Sequence, residues 1–243
     1  DERYWSNLTS RLFPRHFAPC RLAAPGTALI AHAAPLRRLP PAVGLRLLRA
    51  ALDHVRLPGP ELTFDHLEQA AAVLDSPSAS ATLPGATLER SFHLLRLARP
   101  APPPAPYSFA VTATGRYPVP SGEVILHQSE SGPPPATDAA SPRVYNTKGS
   151  GLDPAILDQP LRLCSWEHGD GYRPLGAARS YKLKELFQKA RIPSWERPLW
   201  PILWNNGSII WARQFGPAAE AASSAVRAVC VDFHPTDAEM QSR

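Results

Sequence analysis

Between Arg99 and Pro106 five of eight residues are prolines. A helix or a sheet interior cannot run through such a stretch, because each proline fixes φ and removes a backbone donor. The chain is therefore expected to fold as two parts joined by a stiff, extended linker. The expected division is a first region over residues 1–98, a linker over 99–106, a second domain over 107–233, and a disordered tail over 234–243. With 243 residues, 44% of them apolar, the chain can bury one large or two small cores.

Beyond the linker, Leu161 to Trp211 has the clearest local grammar. Leu161 and Leu163 alternate with Arg162 and Cys164 and lead into Trp166, the period of a half-buried strand. Gly169-Asp170-Gly171 predicts a tight turn, and Tyr172 to Gly176 a rigid loop. Leu183, Leu186, Phe187 and Ala190 recur at helical spacing, predicting a helix over Lys182–Ala190 with Ser180 as N-cap and Ile192-Pro193 as its end. Asn205-Asn206-Gly207, between Pro201–Trp204 and Ser208–Trp211, is a hairpin signal. Tyr107–Thr112, Glu123–His127 and Val226–Phe233 read as further strands, and Ser129–Pro142 as a flexible loop. Trp195, Trp200, Trp204 and Trp211 are expected to pack the core or the hairpin.

Before the linker, Trp5, Leu8, Leu12 and Phe13 suggest a short helix ending near Pro14. A second helix should cover Ala42–Val55, entered through Pro40-Pro41 and burying Leu45, Leu48, Leu52 and Val55. A third should cover Thr63–Leu74, capped by Thr63 and burying Phe64, Leu67, Ala71 and Leu74. Ala81–Leu97, interrupted by Pro84-Gly85, reads as two short strands. The fold class is thus α+β, an N-terminal helical subdomain followed by a small mixed α/β C-terminal domain with antiparallel hairpins.

Charge concentrates in the same C-terminal block. Between Tyr172 and Arg197 seven bases stand against two acids, a net of +5, equal to the formal net charge of the whole chain. Such a loop and helix suit a phosphate backbone, although on charge alone they also suit a solvated face. The three cysteines are far apart and form no Cys-x-x-Cys pair, so a reducing, cytoplasmic setting is expected. No apolar run approaches the roughly 20 residues needed to span a bilayer, so no membrane partner is expected. Neither a P-loop nor a Gly-x-Ser-x-Gly, His-Glu-x-x-His or Gly-x-Gly-x-x-Gly pattern occurs. His168 and Asp170 are neighbouring polar groups that fit either acid/base work or hydrogen bonding within the turn. No residue is assigned a catalytic or metal-binding role.

The order Leu-Arg-Leu-x-Ser-Trp, Gly-Asp, Tyr-Arg-Pro-Leu-Gly, Lys-Leu-Lys-Glu-Leu-Phe, Arg-Ile-Pro, Arg197, Pro201 and Ile-Ile-Trp resembles the C-terminal domain of tRNA(Ile)-lysidine synthetase. Leu-Pro-Pro, Leu-Leu-Arg-Ala-Ala-Leu, Phe-Asp-His-Leu, Leu-Pro-Gly and Leu-Leu-Arg-Leu resemble the family's substrate-binding helical region. Two positions depart from the pattern: Cys164, where the family usually carries arginine, and Gly171, where arginine usually follows Gly-Asp.

The resemblance implies an ATP-dependent ligase that joins lysine to C2 of the wobble cytidine of tRNA(Ile) with a CAU anticodon. ATP and Mg would serve the intact enzyme and not bind this chain, which lacks the family's Ser-Gly-Gly-x-Asp-Ser loop and starts at Asp1 rather than methionine. The catalytic domain would lie N-terminal to Asp1. A homodimer is implied for the intact enzyme. The implied tRNA contacts are Arg162, Trp166, Tyr172, Arg173, Arg179, Lys182, Lys184, Arg191 and Arg197. A stand-alone RNA-binding or protein-interaction module without catalysis is the alternative.

Overall fold

The structure, a computed structural model, describes residues 2–20, 22–130, 151–223, 225 and 227–235. Two compact units divide the chain, Asp1–Pro102 and Pro103–Arg243.

The first unit contains, in chain order, α1 (Glu2–His16), β1 (Phe17–Pro19), β2 (Ala28–His32), α2 (Ala33–Arg37), α3 (Pro41–Val55), α4 (Phe64–Asp75), β3 (Ser78–Leu83), β4 (Ala86–Ser91) and β5 (Leu94–Ala98). Its strands pair antiparallel in the order β1-β2-β5-β4-β3. The unit expected to be helical is therefore helices on a sheet, and one apolar core joins both layers. Three strands, rather than two, follow α4. α1 continues past Pro14, which lies in its last turn, to His16.

Pro41 starts α3, and the buried stripe is Gly44, Leu47, Leu48, Ala51, Leu52 and Val55, with Leu45 only half-buried at its margin. Thr63 caps α4 through a reciprocal pair: the His66 N–H donates to Thr63 Oγ1, and the Thr63 N–H donates to His66 Nδ1. Phe64, expected in the core, is 62% exposed. Leu62 and Leu67, flanking the cap, are buried in its place, which is the arrangement of a hydrophobic staple.

Gly85 turns β3 into β4 with φ 71°, and a Cβ there would meet the Leu57 carbonyl oxygen at 2.5 Å. The Leu57 N–H donates to Gly85 O, so glycine lets the α3–α4 loop close on the hairpin. Arg99, read as linker, is held in this unit: its N–H donates to Thr27 O and its Nε to Val55 O.

The second unit contains β6 (Ser108–Val111), β7 (Gly115–Val119), β8 (Gly122–Ser129), β9 (Gly151–Leu152), β10 (Leu161–Ser165), β11 (Gly171–Tyr172), β12 (Tyr181–Lys182), α5 (Leu183–Lys189), β13 (Pro201–Asn205), β14 (Ser208–Ala212), β15 (Gly216–Pro217), β16 (Ala222–Ser223) and β17 (Ala228–Pro235). Two five-stranded sheets have the orders β15-β14-β13-β10-β6 and β16-β9-β17-β8-β7. Val124, Leu126 and Val229 of one sheet share a core with Leu161, Leu163, Leu203 and Ile210 of the other. Cys164, Ile202, Ile209 and Ala212 face the opposite way, into a core with Leu183, Leu186 and Phe187 of α5. The β10-containing sheet is thus covered on both faces, which accounts for the unbroken apolar runs of β13 and β14.

Asn206 and Gly207 close the β13–β14 hairpin at φ 44° and 81°, as a type I′ turn requires. His234 and Pro235, read as part of a disordered tail, are instead paired with Glu123 and Gly122 at the end of β17. Most of the expected 129–142 loop and residues 236–243 of the expected tail lie outside the described residues, and Ser129 belongs to β8. Separate helices and antiparallel sheets make the fold α+β.

Candidate nucleic-acid interface

The basic block is built around α5. Leu183, Leu186 and Phe187 are fully buried under it, so Lys184, Gln188 and Lys189 turn outward. Lys182, not Ser180, occupies the N-cap and makes no side-chain cap. The entry is held another way. Leu183 donates its N–H to Asp170 O, the Lys182 ammonium donates to Gly169 O at 2.7 Å, and the Asp170 carboxylate accepts the Glu167 N–H at 2.7 Å. The Gly-Asp turn is therefore a clamp on the start of the helix. Partial burial of Asp170 raises its pKa, against a lowering from its bond to the Glu167 backbone.

At the other end, the Ala190 N–H donates to Leu186 O, and Arg191 adopts φ 54°. That left-handed residue turns the chain into Ile192-Pro193 and leaves the Arg191 side chain exposed.

The structure sorts the sequence-derived contact residues. Lys182, Lys184 and Arg191 are exposed on or beside α5. Arg179 joins them: its guanidinium lies 4.1 Å from the centroid of the Tyr181 ring and donates to Glu185 at 3.2 Å. Lys189 stands over the same ring at 3.8 Å. Tyr181 and Lys189 were absent from the sequence-derived set. The signal for them was present, since Tyr181 stands between Arg179 and Lys182 in the basic run and Lys189 lies on the outward face of its helix.

Arg173 is paired with Glu220 at 2.9 Å, and Arg162 lies over Trp204 at 5.6 Å on β10. Trp166 is half-buried, edge-on to both His168 and Phe187. Two residues do structural work instead. Tyr172 is a core residue whose hydroxyl donates to Gly216 O, and Arg197 donates through Nε and Nη2 to Ile192 O. Asp170 is engaged in the turn through the Glu167 N–H, and His168 packs edge-on to Trp166.

The two departures from the resemblance have local causes. Cys164 points into the core beneath α5, where burial pushes its thiol up to about 11. A Cβ on Gly171 would stand 2.7 Å from Tyr181 O, so the β11–β12 ladder closes tightly there. Among the described residues no cluster of three or more His, Cys, Asp or Glu side chains could hold a metal ion. No helix among them is long and apolar enough to cross a membrane.

The sequence is similar to that of known proteins. Residues 161–231, from β10 into β17, match the family model for the TilS substrate C-terminal domain. The tRNA(Ile)-lysidine synthase of Solibacter usitatus is 34% identical over 230 residues, 92% of this chain and 50% of that protein. The chain belongs to the tRNA(Ile)-lysidine synthase family.

The synthase of Geobacter sulfurreducens is 26% identical over 215 residues, 87% of the chain and 44% of that protein. A crystal structure of the TilS C-terminal domain is similar at 27% identity and a TM-score of 0.44, covering 55% of the chain and 99% of that domain. The chain spans about half the length of the curated relatives it matches over most of its residues. Its family is one of ligases that modify tRNA.

Proposed function

We propose that this chain is the tRNA-recognition portion of a ligase that joins lysine to C2 of the wobble cytidine of tRNA(Ile) with a CAU anticodon, giving lysidine. The observation that carries the reading is the 34% identity, maintained across 92% of the chain, to a tRNA(Ile)-lysidine synthase. The exposed cations around α5 supply the chemistry. Lys182, Lys184, Lys189 and Arg191 meet phosphates and release counterions, and Arg179 is presented by the Tyr181 ring.

These contacts position the RNA; they do not read its bases. ATP with Mg supplies activation of the cytidine in the intact enzyme, where lysine is the second substrate. The reading places the protein in the cytoplasm and the intact enzyme in a homodimer.

The test is binding of the chain to unmodified tRNA(Ile) with a CAU anticodon and to elongator tRNA(Met), at two salt concentrations. Tighter binding to tRNA(Ile), weakening as salt rises, is the expected result. Equal binding to both would refute a role in discrimination, and lysidine formed by the chain alone would refute the division of labour.

A further inference from the structure

We infer that α1 carries a second RNA-contact surface, separate from the one around α5. Arg3, Asn7, Arg11 and Arg15 recur every four residues and are all exposed, so they form one ridge along the helix. From Arg3 to Arg15 the ridge runs about 18 Å. Tyr4 stands beside it, 59% exposed, with Trp5 against its edge. The opposite side of the helix lays Leu12 and Phe13 on the core, which fixes the ridge outward.

Four other arginines of this unit are matched with carboxylates: Arg37 with Asp75, Arg46 with Glu2, and Arg49 and Arg56 with Asp53, while Arg90 and Arg99 donate to backbone carbonyls. Among the described residues Arg3, Arg11 and Arg15 have no such partner. Residues 1–102 hold twelve arginines against eight carboxylates, +4 of the chain's +5. Arg11 and Arg15 are like charges four residues apart, an arrangement that disfavours a helix and that an anion lying along them would relieve. A phosphate backbone is the anion that fits: it is linear, arginine grips it through two parallel hydrogen bonds, and an exposed tyrosine can stack on an unpaired base.

The inference rests on the reading of the chain as a tRNA binder. Its test compares the full chain with R3Q/R11Q/R15Q, a charge-retaining R3K/R11K/R15K, and R37Q/R49Q as a control. Each is titrated with unmodified tRNA(Ile) from about 50 to about 300 mM salt. The glutamine variant should lower the log–log salt slope by about two to three, while the lysine variant and the control should hold it within about half a unit. An unchanged slope in the glutamine variant overturns the inference, even if the ridge proves to hold an acidic protein. In that event, salt-dependent binding by the unaltered chain leaves the tRNA reading standing; no binding by the unaltered chain removes both.

Discussion

Replacing Lys184, Lys189 and Arg191 together with glutamine tests the C-terminal surface where the structure isolates it. All three side chains are exposed, and none has a carboxylate partner among the described residues. Each phosphate neutralised on a duplex contributes roughly 0.9 to the slope of log affinity against log salt. Three lost contacts should therefore flatten that slope by about 2.7. Between about 50 and about 200 mM salt, a fourfold change, the unaltered chain should lose about 40-fold more affinity than the variant.

Folding should be nearly unaffected, because Leu183, Leu186 and Phe187 anchor the other side of α5. The contact of Lys189 with Tyr181 is lost, worth about 0.5 to 1 kcal/mol at an exposed site, together with the smaller effect of its charge in the last turn of the helix. The assay is a salt titration of tRNA binding by fluorescence anisotropy, with urea denaturation alongside. A variant of unchanged stability that keeps the full slope would refute the assignment of phosphate contacts to α5.

Three further outcomes follow from the fold. Gly85→Ala places a Cβ against Leu57 O at a positive φ, and should cost about 2 kcal/mol or more in urea unfolding; an unaltered midpoint would contradict the close approach. Asp170 has a folded pKa above its ordinary 3.8, so the folded state holds its proton more tightly and stability falls as pH rises through that window. Asp170→Asn should flatten this fall in thermal melts between about pH 3 and about pH 6, and a profile parallel to the parent would count against it. The Cys164 thiol, buried and pushed up to about 11, is protonated at neutral pH, so its alkylation should track global unfolding; rapid labelling of native protein at Cys164 would refute its burial.

The parts legible in the sequence are those whose signals are local. The Asn-Gly hairpin, the Thr63 cap and the apolar stripe of α5 each depend on residues within a few positions of one another. β1, β2 and β7 were not legible. Phe17-Ala-Pro and Gly115–Val119 carry proline, and Ala28–His32 is a short apolar run that periodicity cannot assign to strand or helix. Only their ladder partners make them strands. Phe64 misled for a related reason: it has the right spacing for the α4 stripe but sits at the first helical position, where Leu62 from the preceding loop already covers the core.

The candidate surface shows the same limit in a sharper form. Composition located it, since net charge requires no knowledge of contacts, yet the contacts implied by the resemblance put Tyr172, Arg197 and Lys184 on one footing. What separates them is the position of each relative to the α5-side core. Tyr172 lies inside it, Arg197 braces the Ile192 carbonyl at the helix exit, and Lys184 stands on the outward face. The two positions at which the chain departs from the resemblance fall under the same rule. Position 164 points inward and position 171 abuts the Tyr181 backbone. In this chain neither would carry a long side chain outward from α5 without rearrangement, whereas Lys182, Lys184, Lys189 and Arg191 already stand in solvent. On the proposed reading, anion affinity at this surface would depend on Lys184 and Lys189 on the outward face of α5, on Lys182 and Arg191 at its two ends, and on the Gly-Asp clamp that fixes its start.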